Sequence, residues 1–240
     1  MPTCRAWLLL LLCLSPLSAA EEQNHRYRYD ARMAFLNAGE LNLELRRFGE
    51  QYEVAGEFQT SRAMSVYYKW NGVFAATGTW NGHGPVTTAY MSRTVSQGED
   101  LKIVLNYENS ARLLDGASSD FESINKPAGI DLISALFFSP SCYTGGTIHD
   151  GEDSYSLDLR SEKTHSLNGG SKYYKGEVVS CEYVVRDHKN RKRRIVVSLA
   201  EVGDTTVAVQ VRAKIPILPD AVFKLRMPKN ISVQGIVAGQ

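Results

Sequence analysis

Several things are scarce in this chain, and each scarcity removes a class of protein. There are 4 cysteines and 5 histidines among 240 residues. His25, His83, His149, His165 and His188 are scattered, and none stands at ligand spacing from a cysteine, so no metal site is expected. Charge of one sign is not in excess, because 27 Lys and Arg face 26 Asp and Glu. A near-neutral chain lacks the positive surplus on which non-specific nucleic-acid binding rests. Prolines number only 8, too few for a linker-rich or low-complexity chain. Beyond the N-terminal segment no apolar run approaches the ~20 residues that cross a bilayer as a helix. Catalytic signatures are missing too. There is no Gly-x-Ser-x-Gly elbow, no His-Glu-x-x-His and no phosphate-cradling Gly-rich loop. Ser123 to Lys126 matches Ser-x-x-Lys, but neither Ser-Asp-Asn nor Lys-Thr-Gly follows it. We expect no catalytic residue, no cofactor and no nucleic-acid partner.

The N-terminal segment carries the clearest positive signal. Arg5 precedes an unbroken apolar run from Ala6 to Leu14, Pro16 breaks it, and Ser18, Ala19 and Ala20 precede Glu21 and Glu22. A basic residue, a short apolar core and a small-residue cleavage site spell a secretory signal peptide. The expected organisation is a signal peptide over 1–20, cleaved after Ala20, and one domain over 21–240 in the periplasm. A lipid anchor at Cys13 is disfavoured, because Leu12 precedes it where a small residue is wanted. Cys4 and Cys13 leave with the signal. Cys142 and Cys181 remain, an even pair in an oxidising compartment, and a disulfide between them is expected.

The dominant period along the chain is two. Leu41, Leu43 and Leu45 alternate with polar residues, as do Tyr52, Val54 and Phe58. The same pattern runs through Leu101, Ile103, Leu105 and Tyr107, then Tyr155, Leu157 and Leu159. It continues in Ile195, Val197 and Leu199, in Val207, Val209 and Val211, and in Phe223 and Leu225. Such alternation marks antiparallel strands with one face buried. Turn signals at Asn37–Gly39, Phe48–Glu50, Asn81–Gly82, Asn168–Gly170 and Val202–Asp204 separate the runs. The predicted fold is all-β: one mostly antiparallel barrel or strongly curled sheet with one or two short helices. The better helix spans Asp131 to Phe138, with Asp131 as cap and Pro140 as stop. Ser61 to Trp70 reads as a short helix or an irregular crossing.

Three local clusters invite a functional reading. Asp150 to Asp153 places three carboxylates in four residues after His149; Asp-Gly makes a hairpin turn, and the further oxygen ligands of a calcium loop are missing. Lys189, Arg191, Lys192, Arg193 and Arg194 form a basic tract at an expected hairpin tip. Such a tract either meets an anionic envelope component, at about 1 kcal/mol per charge near a charged surface, or guards a strand edge as a solvated turn. Tyr67, Tyr68, Trp70, Phe74 and Trp80 fall within fourteen residues. They are the candidate lining of a lipid-like ligand site in a barrel mouth, set against ordinary core filling.

The order of these features resembles a known family. An opening Tyr-rich strand leads to Ala38, Gly39 and Glu40, then Gly129 to Phe138, then Cys142. Ile148 to Gly151, Tyr155 to Asp158, Tyr174 to Gly176 and Cys181 follow. From Tyr27 onward the chain resembles the bacterial family catalogued as domain of unknown function 3108. The resemblance implies an exported envelope protein with a closed or nearly closed β-barrel, and it implies no activity. The chain departs from that pattern in the basic tract from Asp187 to Arg194, where the family tends to an apolar or Gly-containing link. The expected role is a non-enzymatic periplasmic envelope protein that binds an apolar or amphiphilic ligand, or a partner, in its concave interior. The alternatives are a structural or interaction protein with a filled core, serving envelope integrity, and an unrecognised hydrolase.

Overall fold

The structure is a computed structural model that describes residues 22–96, 101–107, 109–116, 120–214 and 220–228. The expected signal segment, Cys4, Cys13, and the cleavage site after Ala20 lie outside them.

The first half of the chain is a meander. It runs β1 (Glu22–Met33), β2 (Leu36–Phe48), β3 (Gln51–Thr60), α1 (Arg62–Ser65), β4 (Asn71–Asn81), β5 (Gly84–Val95), β6 (Leu101–Tyr107), β7 (Ser110–Asp115) and β8 (Glu122–Ile124). Then come β9 (Ile130–Asp131), α2 (Leu132–Phe137), β10 (Gly146–His149) and β11 (Ser154–Asn168). The chain closes on β12 (Lys175–Arg186), β13 (Lys192–Val202), β14 (Thr205–Lys214) and β15 (Ala221–Leu225). Among the described residues all fifteen strands join one sheet in the order β8-β7-β6-β5-β4-β3-β2-β1-β15-β14-β13-β12-β11-β10-β9. Every pairing is antiparallel except β9 with β10. The two chain halves meet where β1 pairs with β15, Tyr29 opposite Leu225.

The sheet curls until its ends overlap, and side chains rather than a hydrogen-bonded ladder close the seam. Thr87 on β5 donates to the Asp131 carboxylate at 2.6 Å and accepts from the Asp131 amide at 3.0 Å. Asn106 on β6 donates to the Gly151 carbonyl at 2.8 Å. Lys102 pairs with Glu152 across the same seam. Small residues permit the tight curl. Gly56 lies opposite Phe74 on the neighbouring strand, and the Phe74 ring covers the space a side chain would take.

Inside the curl, Tyr27, Tyr29, Leu43, Leu45 and Val54 from β1 to β3 belong to one buried cluster with Leu157, Val178, Tyr183, Val197 and Val209. Burying each such side chain contributes roughly 1.5–3 kcal/mol. Helix α2 lies in this cluster. Asp131 caps it, accepting from the Ser134 amide at 2.9 Å, and Pro140 follows its end. Phe137 meets Tyr29 edge-on at 5.1 Å between ring centres, and Phe138 meets Tyr27 at 5.8 Å. A six-residue helix gains little from its own hydrogen bonds, so this packing is what holds it.

Two periodicity readings are corrected. On β6 the deeply buried residues are Val104 and Asn106, while Leu101, Ile103 and Leu105 are only partly covered and Tyr107 is exposed. Alternation identifies a strand, but the side that faces the core is set by the curl, and a one-residue shift of phase inverts it. The Asn37–Gly39 signal is a bulge within β2 and not a turn. Ala31 pairs with Gly39 and Arg32 with Asn37, so Ala38 is the extra residue. The turn itself falls at Ala34 and Phe35.

Candidate functional site

The strand order places the segments 34–35, 61–70, 150–153 and 187–191 at one end of the curled sheet. The opposite end carries 49–50, 82–83, 169–174 and 203–204. The interior differs between these ends. Around α2 it is packed, and the disulfide lies there; toward the second end a hollow of about 540 Å³ is bounded by Cys142, Val178 and Leu199. Cys142 is bonded to Cys181 with Cα atoms 5.5 Å apart, and the Tyr143 amide donates to the Tyr183 hydroxyl at 2.7 Å. Both ties join the segment after α2 to β12. Toward the first end the interior opens into a cavity of about 480 Å³, within the usual range for small-molecule sites.

Its wall is mainly apolar. Phe58, Trp70 and Phe74 come from β3, the α1 crossing and β4, while Leu132, Leu136 and Phe137 of α2 form the floor. Val104 and Phe223 complete the sides. Each strand contributes through its inward face, and α2 contributes because its cap and the disulfide anchor both its ends. Trp70 packs against Phe58 with the rings tilted, at 4.9 Å between ring centres.

Polar groups gather at the rim. Partial burial opposes the Lys102 ammonium, but its bond to Glu152 more than offsets this and holds the pKa above its ordinary value. Asp150 accepts from the Tyr155 hydroxyl at 2.6 Å and, at its other oxygen, from the Glu152 and Asp153 amides at 3.1 and 2.9 Å. Burial and the Asp150 hydrogen bond push the Tyr155 phenol up. The acidic strip is therefore a self-bonded turn. An adjoining hollow of about 360 Å³ shares Leu132, Asp150, Ile195 and Ala213 with the cavity and extends the mouth outward past His188, Arg191, Arg193 and Lys214.

The basic tract tips the β12–β13 hairpin, where Asn190 takes the left-handed conformation at φ 57°. Asp187 holds the turn, accepting from the Lys189 and Arg191 amides at 2.9 Å and from the Arg191 side chain. Arg194 reaches Glu182 at 3.7 Å. Arg193 continues the inward series Ile195, Val197 and Leu199, so it stands over the mouth. Among the described residues Arg193 and Lys214 have no carboxylate partner. Lys192 and Arg194 fall on the other face.

The five aromatics proposed from sequence do not lie together. Trp70 and Phe74 line the cavity. Tyr67 and Tyr68 are 73% and 50% exposed on the α1 crossing. Trp80 packs near the opposite end, edge-on to Tyr52 at 5.9 Å and beneath Arg47 at 4.6 Å. A crossing that leaves the sheet loses the two-residue period, so proximity in sequence did not translate into a shared direction. Phe58, Phe223 and the α2 side chains were missed as lining, although their positions on inward strand faces and on the helix were visible.

A second polar cluster is buried away from the mouth. Asp131 and His149 lie side by side in the β9–β10 pairing. Asp131 is committed at one oxygen to the helix cap and at the other to Thr87, which also bonds Tyr52 at 3.1 Å. His149 has an unpartnered Nδ1 and meets Tyr90 edge-on at 5.6 Å. Burial lowers its pKa, against the pull of Asp131 and Asp150. Neither residue lines the cavity. Among the described residues no group of His, Cys, Asp and Glu is arranged to hold a metal ion.

No curated protein matches this sequence. One similar solved structure is a beta-barrel-like protein of domain of unknown function DUF1849 from Brucella abortus, 11% identical, covering 84% of this chain and 95% of its own, with a TM-score of 0.47. The sequence model of the family described as "Protein of unknown function (DUF3108)" matches residues 28–226. The chain belongs to the DUF3108 family.

Proposed function

We propose that this protein is an exported, non-enzymatic binding protein that holds the apolar part of an amphiphile in the cavity above α2. The cavity carries the reading. Its wall is mainly apolar, its floor is a disulfide-anchored helix, and its charged groups lie at the rim. An acyl-like tail would replace water against Phe58, Trp70, Phe74 and Phe223, at roughly 25 cal/mol per Å² of apolar surface covered. The head would remain at the mouth beside Lys102, Arg193 and Lys214. The carboxylates nearest the cavity are engaged, Asp150 by Tyr155 and Glu152 by Lys102, which favours holding a ligand over transforming it. The signal-like segment and the Cys142–Cys181 bond support a periplasmic location, since disulfides persist in oxidising compartments.

A fluorescent fatty-acid probe tests the binding role. Wild type should bind it saturably, and Trp70→Ala should bind it about tenfold more weakly while still folded. Ala213→Trp, which fills the cavity, should abolish binding. Absence of saturable binding by the wild type would leave only a structural role for the interior. Intact mass of the exported protein tests the location, with Glu21 expected as the first residue. A mass that retains 1–20 would refute it.

A further inference from the structure

The same end of the molecule carries exposed apolar groups that the cavity does not use. The β1–β2 turn places Ala34 at φ 51°, a conformation usually left to Gly or Asn, and presents Phe35 next to it at 84% exposure. After α1 the chain crosses toward β4, with Val66 77% exposed beside Tyr67 and Tyr68. The two tips are fastened together. The Ser61 amide donates to the Ala38 carbonyl at 3.0 Å, and the Ser61 hydroxyl donates to the Asn37 carbonyl at 2.5 Å. Ser61 also caps α1, accepting from the Met64 amide at 3.1 Å. The apolar side chains therefore project from a braced platform.

The charge on the tips themselves has one sign, and Asp150, Glu152, Asp187 and Asp220 at the same end are engaged by Tyr155, Lys102, Arg191 and Arg212. Residues 31–39 and 60–70 contain Arg32, Arg62 and Lys69 and no acidic residue. None of these three cations has a carboxylate partner among the described residues. Lys69 directly precedes Trp70, which lines the cavity.

We propose that these two tips dock the protein, cavity mouth first, onto an anionic phospholipid bilayer. Narrow projecting tips suit a bilayer, whose interface yields around an inserted ring, better than a flat protein surface. Tyrosine favours the headgroup level, where its ring is covered and its hydroxyl stays wet. Phe35 and Val66 enter more deeply, and Arg62 and Lys69 meet lipid phosphates. This orientation brings the mouth against the bilayer, so an amphiphile could enter without its tail crossing water. The docking does not depend on the cavity holding a ligand.

Vesicle flotation of the purified protein tests it. Wild type should float with vesicles of equal parts phosphatidylcholine and phosphatidylglycerol, less so in higher salt, and poorly with phosphatidylcholine alone. Phe35→Ser with Tyr67→Ser should lower the partition about tenfold or more. Arg62→Gln with Lys69→Gln should remove the preference for phosphatidylglycerol. All four side chains are exposed, so melting temperature and fatty-acid probe binding in solution should stay unchanged in both variants. Wild type and variants share the same N-terminal segment, so their difference reports the tips. Absence of flotation with the anionic vesicles, or flotation unchanged in both variants, would overturn the proposal. So would a dimer in analytical ultracentrifugation that the Phe35/Tyr67 variant dissolves, because a second copy would then be the partner of these tips.

Discussion

Removing the Cys142–Cys181 bond should take away a large share of the stability of this fold. The bond links residues 39 apart in sequence. By the chain-entropy relation, closing a loop of that length restricts the unfolded chain by about 4 kcal/mol at 25 °C. A domain is stable by roughly 5–15 kcal/mol in total. The hydrogen bond from the Tyr143 amide to Tyr183 still joins the same two segments after the bond is lost, so part of the native geometry persists. We expect a loss of about 3–4 kcal/mol for the Cys142→Ala/Cys181→Ala protein. Alanine suits these buried positions, since serine would add a hydroxyl needing a partner. Guanidinium denaturation should show a lower midpoint and a steeper dependence, because the unlinked unfolded chain exposes more surface. Wild type measured in reductant should fall beside the variant. Fatty-acid probe binding should also weaken, because the bond anchors the end of α2, whose Leu136 and Phe137 floor the cavity. A loss below about 1 kcal/mol, or two titratable thiols in the native exported protein, would refute the reasoning.

Other perturbations separate the remaining parts of the argument. Asp30 is buried and accepts bonds of 2.7 Å from Lys172 and from Tyr173, with Arg226 as a further partner. Burial alone would raise its pKa; these three groups outweigh that and lower it. Its contribution is therefore present above the unfolded value near 3.9 and lost as pH falls through the folded value. Asp30→Asn should cost about 2 kcal/mol at neutral pH and flatten the acid limb of a denaturation series; an unchanged acid limb would count against the network. His149 runs the opposite charge logic. Burial keeps its imidazole neutral, so below about pH 6.5 the unfolded chain takes a proton that the fold refuses, and stability falls with falling pH. His149→Phe should remove that dependence, and equal slopes in both proteins would show that another group is responsible. Gly56→Ala would put a methyl inside the envelope of the Phe74 ring and 2.8 Å from Leu43 Cδ2. It should cost about 1–3 kcal/mol and weaken probe binding by displacing a cavity wall, whereas unchanged melting and binding would show that Phe74 relaxes freely.

Much of the fold was legible locally. Leu41, Leu43 and Leu45 are buried on a single strand face as their alternation indicated, whereas Val207, Val209 and Val211 are all buried but a bulge at Val209 breaks their alternation and buries Ala208 with them. Helix α2 begins after its Asp131 cap as read, and Cys142 and Cys181 are joined. Lys189 and Asn190 do tip a hairpin. These features depend on near neighbours: a two-residue period, a capping carboxylate, a turn-forming residue, and an even cysteine count.

The site was legible only in pieces. Trp70 and Phe74 were among the candidates, but nothing local distinguished them from Tyr67, Tyr68 and Trp80, whose directions depend on where the chain leaves the sheet. The inward face of β6 was misread because Ile103 and Val104 are equally apolar, and only the overlap with β10 and the following turn selects Val104. Arg193 and the aromatic wall of Phe58, Trp70 and Phe74 lie more than a hundred residues apart in sequence, and no short-range pattern relates them. The sequence by itself determined that this chain forms antiparallel strands, which faces of most strands are apolar, and where α2 starts. The tertiary structure decided that the sheet overlaps itself, that an apolar cavity opens above α2 toward one end, and that Arg193, Trp70 and the exposed Phe35 share that end. The reason is physical. Alternation and capping act over a few residues, whereas curl and closure depend on pairings and seam contacts between distant segments, which only the assembled sheet brings together.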